Sequence, residues 1–103
     1  MLNPLQMKDM LANAKQMGEE MQRKMEQTVV ESSSGGGIVT ARVNGKKQLL
    51  SLKIQASAVD PNDVEMLQDL VLAAVNEAGR KADEAMQSSV SGMLGGLDLP
   101  GLI

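Results

Sequence analysis

The sequence predicts a small α+β domain in the order helix, three antiparallel strands, helix. Three observations lead there. A heptad-spaced apolar stripe fills residues 4–27, an alternating apolar segment runs into Asn44-Gly45, and a wide apolar stripe follows Asp60-Pro61. The 103 residues make one domain by length. Its expected divisions are a helix over 4–27, a sheet over 28–56, a helix over 61–90 and a flexible tail over 91–103.

The first helix has a clear start. Asn3 can cap it, Pro4 suits the first helical position, and Gln6 completes a capping box. Met7, Ala14 and Met21 repeat every seven residues, while Met10 or Leu11, Met17 and Met25 fill the second seam. Glu19–Arg23 and Glu20–Lys24 stand four apart with the acid first, the favourable order for an exposed face. Such a helix is about 36 Å long. A strand of five or six residues spans only about 17–20 Å. The surplus apolar stripe must meet another surface or stay wet, so a homodimer is expected.

The middle is β. Thr28-Val29-Val30 opens a short strand, and the run SSSGGG reads as a turn in which glycine permits positive φ. It lacks the Gly-Lys-Ser/Thr ending of a phosphate-binding loop. Asn44-Gly45 is the preferred dipeptide of a two-residue hairpin loop. That loop would pair Val43 with Lys46 and Val39 with Leu50, and would put Leu50, Leu52 and Ile54 on the face of Val39, Ala41 and Val43. Arg42, Lys47, Lys53, Ile38 and Leu49 would face the other way. The second helix should start at Asp60-Pro61 and cover one sheet face with Leu67, Leu70, Val71, Ala74, Ala78, Ala82 and Met86.

Composition narrows the function. The chain lacks Phe, Trp, Tyr, His and Cys. That removes the thiol nucleophile, the imidazole base, the disulfide and the usual zinc ligands. No enzyme activity, metal or cofactor is expected. Stacking of single-stranded bases on aromatic rings is equally absent. Nothing resembles a signal peptide or a membrane span, which points to a cytoplasmic protein. The net charge is −3, yet residues 29–59 carry Arg42, Lys46, Lys47 and Lys53 against Glu31 alone. The middle is the basic part of an acidic chain.

These residues also carry a family resemblance. The Met- and Gln-rich first helix, GGGIVTARVNG, LLSLKIQ, VDPNDVEMLQDLVLAAVNEAGRKADEAM and the ending SGMLGGLDLPG together resemble the YbaB/EbfC family of bacterial nucleoid-associated proteins. The resemblance covers nearly the whole chain. It implies a homodimer of α-β-β-β-α subunits, intertwined or tweezer-like, that binds duplex DNA through basic side chains on projecting helices. It further implies nucleoid localisation, a role in nucleoid organisation or gene regulation, and replication or recombination-repair proteins as further partners. The matching basic positions are Lys8, Lys15, Arg23 and Lys24 on the first helix and Arg80 and Lys81 on the second. Where family members can carry consecutive basic residues in the third strand, this chain has Leu49, Leu50 and Ser51.

Two other readings stay open. The stripe of Met7, Met10, Leu11, Ala14, Met17, Met21 and Met25 reads as a dimer or core seam, but it could also grip a protein partner and make the chain a scaffold with weak or no DNA binding. A membrane-surface role for the first helix is disfavoured by its balanced charge and its lack of Trp or Phe anchors.

Overall fold

The structure, a computed structural model, describes residues 3–94. The order is α1 (Pro4–Gln27), β1 (Val29–Ser34), β2 (Val39–Asn44), β3 (Leu49–Ile54), a short 3-10 turn (Ala56–Ala58) and α2 (Val64–Leu94). The strands form one antiparallel sheet in the order β1-β2-β3. The expected α-β-β-β-α order is therefore observed.

α1 starts as its sequence dictates. The Asn3 side chain accepts from the Gln6 backbone N–H at 2.7 Å, and the Gln6 side chain accepts from the Asn3 N–H at 3.1 Å. Two of the donors that a helix start leaves unpaired are thereby satisfied. The helix stops at Thr28, whose N–H and hydroxyl both donate to the Lys24 carbonyl, at 3.0 and 2.6 Å.

β1 runs further than expected, through all three serines to Ser34. The Ser34 hydroxyl donates to the Leu70 carbonyl of α2 at 2.6 Å, and Ser32 is buried. The turn proper is residues 35–38, with Gly35, Gly36 and Gly37 at φ of +61°, +70° and +101°. Ile38 packs against the core from this turn and does not face solvent as expected.

The β2–β3 connection corrects the expected register. Val39 pairs with Ile54, Ala41 with Leu52 and Arg42 with Ser51. The loop is four residues long, 45–48, because the Asn44 side chain accepts from the backbone N–H groups of both Lys46 and Gln48 at 3.0 Å. An asparagine that binds the backbone ahead of it builds a wider turn than the two-residue hairpin requires. Lys47 takes the left-handed conformation at φ 63°. A bulge between Arg42 and Val43 then pairs Val43 with Leu49, skipping Leu50. Leu52 and Ile54 do share the face of Val39 and Ala41, but Leu49 replaces Leu50 beside Val43.

α2 begins at Val64, not at Pro61. Asp60-Pro61 forms a turn closed by Asp63 N–H to the Asp60 carbonyl at 3.0 Å, and Asp63 becomes the cap, accepting from Met66 N–H at 3.2 Å. The helix continues past the expected end at residue 90 to Leu94; residues 95–103 of the expected tail lie outside the described residues.

The core is small. Val39, Ala41 and Val43 of β2 meet Ala74, Ala78 and Ala82 of α2, all buried, with Val30, Leu67, Leu70, Val71 and Val75 around them. Alanines at four-residue spacing let the helix lie close on the sheet. α2 covers β1 and β2 and leaves β3 largely uncovered: Leu49 is 48% and Ile54 38% exposed.

Candidate nucleic-acid interface

α1 buries no residue. It leaves the body at the end of the sheet that holds the 45–48 loop, where Gly45 N–H donates to the Met25 carbonyl at 2.8 Å. Gly45 is buried there, and a Cβ on it would meet Met86 Sδ at 2.6 Å and the Met25 carbonyl oxygen at 2.8 Å. This close approach, not a positive φ, is why glycine occupies the position. Beyond this joint α1 projects, and the chain measures 70 × 29 × 17 Å.

The apolar stripe divides along the arm. Met21 and Met25 are half-buried at the joint, while Met7, Met10, Leu11 and Met17 are 53–70% exposed and Ala14 is exposed with them. Within the single chain the stripe is thus not a core.

The ten basic side chains sort by what already holds them. Lys46 pairs with Glu26 at 3.0 Å and Lys47 with Asp83 at 3.3 Å. Arg80 is clasped between Glu77 and Glu84 on its own helix, its Nε donating to both Glu77 oxygens at 3.1 and 3.0 Å. That hydrogen bond, with the nearby charge, holds the Glu77 carboxyl below its ordinary value and raises Arg80 further above its own. Lys81 reaches across to the Glu31 carbonyl oxygen at 3.1 Å. Lys81, like Lys8, Lys15, Arg23, Lys24, Arg42 and Lys53, has no carboxylate within 4 Å among the described residues.

The structure thus separates the expected site residues. Lys8, Lys15, Arg23 and Lys24 stand together on the exposed arm, the last two lining an open depression with Glu20, Gln27 and Thr28. Arg80 and Lys81 sit apart on α2, Arg80 clasped by two carboxylates and Lys81 tethered by one hydrogen bond to a backbone carbonyl. The expected Glu19–Arg23 and Glu20–Lys24 pairs are not formed, which leaves both cations available. Sequence reasoning missed Arg42 and Lys53 as candidates, although the basic run over residues 29–59 was a signal.

Among the described residues no His, Cys, Asp or Glu cluster could hold a metal ion, and no helix is long and apolar enough to cross a membrane. What remains is a projecting helix with unpaired cations, built on a sheet with one helical layer. Residues 3–97 match the YbaB/EbfC DNA-binding family.

The chain belongs to the YbaB/EbfC DNA-binding family.

Its similarity to other YbaB/EbfC proteins is high. It is 61% identical over 93 residues to a nucleoid-associated protein of Koribacter versatilis, covering 90% of this chain and 92% of that one. It is 55% identical over 105 residues to a nucleoid-associated protein of Acidobacterium capsulatum, covering 96% of each. The crystal structure of an uncharacterized Helicobacter pylori protein superposes with a TM-score of 0.73 at 26% identity, over 91% of this chain and 99% of that one. The α-β-β-β-α fold is therefore shared with a solved structure, and YbaB/EbfC is a DNA-binding family, not an enzyme family.

Proposed function

We propose that this YbaB/EbfC protein binds duplex DNA as a homodimer, in the nucleoid and without enzymatic activity, using cations of the α1 arm against phosphates. One observation carries the reading: Lys8, Lys15, Arg23 and Lys24 are exposed on a helix with no fully buried residue and are not neutralised by carboxylates. Lys8 and Lys15 stand two turns apart, about 10 Å along the axis, on one side of the stripe. Contact with phosphate releases counterions, so affinity should fall steeply with salt. Two weak sets of contacts held by one dimer act together. A mobility-shift titration at low and moderate salt tests the reading; no shift at micromolar protein in low salt would sink it.

The dimer reading is supported by the uncovered side of the body. Ile54, Leu67, Gln68, Val71 and Leu72 line an open depression of about 480 Å³ beside the β3 edge. With Leu49 and Leu52, it presents an apolar surface and an unpaired strand edge, which a second copy would cover. Solution mass measurement tests this, and a Leu72→Glu variant should shift the chain to monomer.

The exposed Met7, Met10, Leu11 and Met17 favour a second reading, a scaffold whose arms grip replication or recombination-repair proteins. Capture of a replication or repair protein that survives nuclease treatment supports it. Capture lost with the nucleic acid returns the arms to DNA.

A further inference from the structure

The sheet has two faces, and α2 covers one. Ser34, Val39, Ala41, Val43 and Ile54 point toward α2. Alternate residues therefore form the outer face. The pairing arranges six of them in two rows of three, with Val29, 42% exposed, and the buried Asn44 at the end beyond. Glu31, Arg42 and Ser51 lie side by side, and Ser33, Thr40 and Lys53 lie beside them. The Ser33 and Thr40 hydroxyls are 2.9 Å apart, and the Ser51 hydroxyl oxygen is buried with no hydrogen-bond partner among the described residues. Both rows are wholly polar, and their two cations outnumber their single carboxylate.

We propose that this outer sheet face is a second duplex-phosphate surface, with Arg42 and Lys53 as its contacts. The inference rests on the DNA-binding reading above and extends it from the arm to the body. Three observations support it. Arg42 and Lys53 are exposed and, among the described residues, free of carboxylate partners, unlike Lys46, Lys47 and Arg80. They are diagonal neighbours on adjacent strands, about 7–8 Å apart at the backbone, so both can reach one phosphate strand. The two rows also offer the Ser33–Thr40 hydroxyl pair and no large apolar residue. A protein partner would need a buried anchor at the centre of its contact, which these rows lack. With no aromatic side chain in the chain, single-strand stacking is unavailable and the phosphate backbone is the ligand that fits.

The test measures affinity of the full-length protein for a fluorescent random-sequence duplex at several salt concentrations. The slope of log affinity against log salt counts phosphate contacts at about 0.9 per contact. The double variant Arg42→Gln/Lys53→Gln should flatten that slope by about 2 per protomer. Lys46→Gln/Lys47→Gln removes the same charge from residues already paired with carboxylates, and its slope should stay near wild type. Glu31→Gln removes the only acid in the two rows and should tighten binding. Circular dichroism confirms that each exposed-site variant is folded. An unchanged slope in Arg42→Gln/Lys53→Gln, with the wild type still binding, overturns this inference alone. Equal flattening by both double variants also overturns it, because it reports net charge only. Failure of the wild type to bind overturns the DNA reading and this inference with it.

Discussion

Gly45→Ala should loosen the joint between arm and body. The added methyl would sit 2.6 Å from Met86 Sδ, 2.8 Å from the Met25 carbonyl oxygen and 3.0 Å from Met25 Cα. The sulfur belongs to a flexible side chain and can swing away. The two Met25 atoms are backbone, so relief requires the last turn of α1 to move. Overpacking of this kind costs about 1–3 kcal/mol. For a domain of this size, each kcal/mol lowers the melting temperature by roughly 4–8 °C. Gly45 has no positive φ, so the loss is steric and not conformational. Two measurements are needed: thermal unfolding, and hydrogen exchange at the residue-45 amide, which donates to the Met25 carbonyl at 2.8 Å. Exchange should quicken even if α1 yields locally and the melt barely moves. Adding Met86→Ala should recover only part of the loss, because the backbone clash persists. A Gly45→Ala protein with wild-type melting and wild-type exchange at that amide would refute the reasoning.

Gly18→Ala should raise helicity and stabilise α1 by about 0.5–1 kcal/mol, since nothing lies within 4 Å of the added methyl; circular dichroism reads this. Ala78→Leu should destabilise by about 1–3 kcal/mol or more in denaturant titration, because Ala78 is fully buried in the core between α2 and β2. The Glu77–Arg80 clasp adds a pH dependence. The hydrogen bond from Arg80 depresses the Glu77 carboxyl below its ordinary 4.5, so its stabilisation is complete above that value and is lost as pH falls through the depressed one. Acid melts of Glu77→Gln against wild type should therefore converge at low pH and differ at neutral pH.

Much of the fold was legible in the chain. The capping box of Asn3 and Gln6 needs only local spacing, and so does the alternation of Val39, Ala41 and Val43. The register was not legible, because Asn44-Gly45 carries two meanings. The dipeptide favours a tight hairpin, but here the Asn44 side chain holds Lys46 and Gln48, and Gly45 is used to admit α1. Asp60-Pro61 fits the cap-then-proline pattern and drew the start of α2 three residues too early, whereas Asp63 is the cap. The candidate site divides likewise. The arm cations Lys8, Lys15, Arg23 and Lys24 were candidates through the family resemblance, and helical spacing alone did not single them out. That Arg80 is occupied was readable from Glu77 and Glu84 three and four residues away. That Arg42 and Lys53 share an open face depended on knowing which face α2 covers, and the hydrophobic pattern names the faces but not the cover.

Because α1 buries no residue, the arm and the body are nearly separate mutational compartments. Substitutions in its first four turns change local helix content and surface charge while leaving the alanine–valine core untouched, so their effects should add to those of core changes without coupling. Binding strength can then be retuned by exchanging arm residues, without a stability debt in the sheet. Protection of the arm amides should decline from Met25 toward Pro4 as in an isolated peptide helix fraying from its free end.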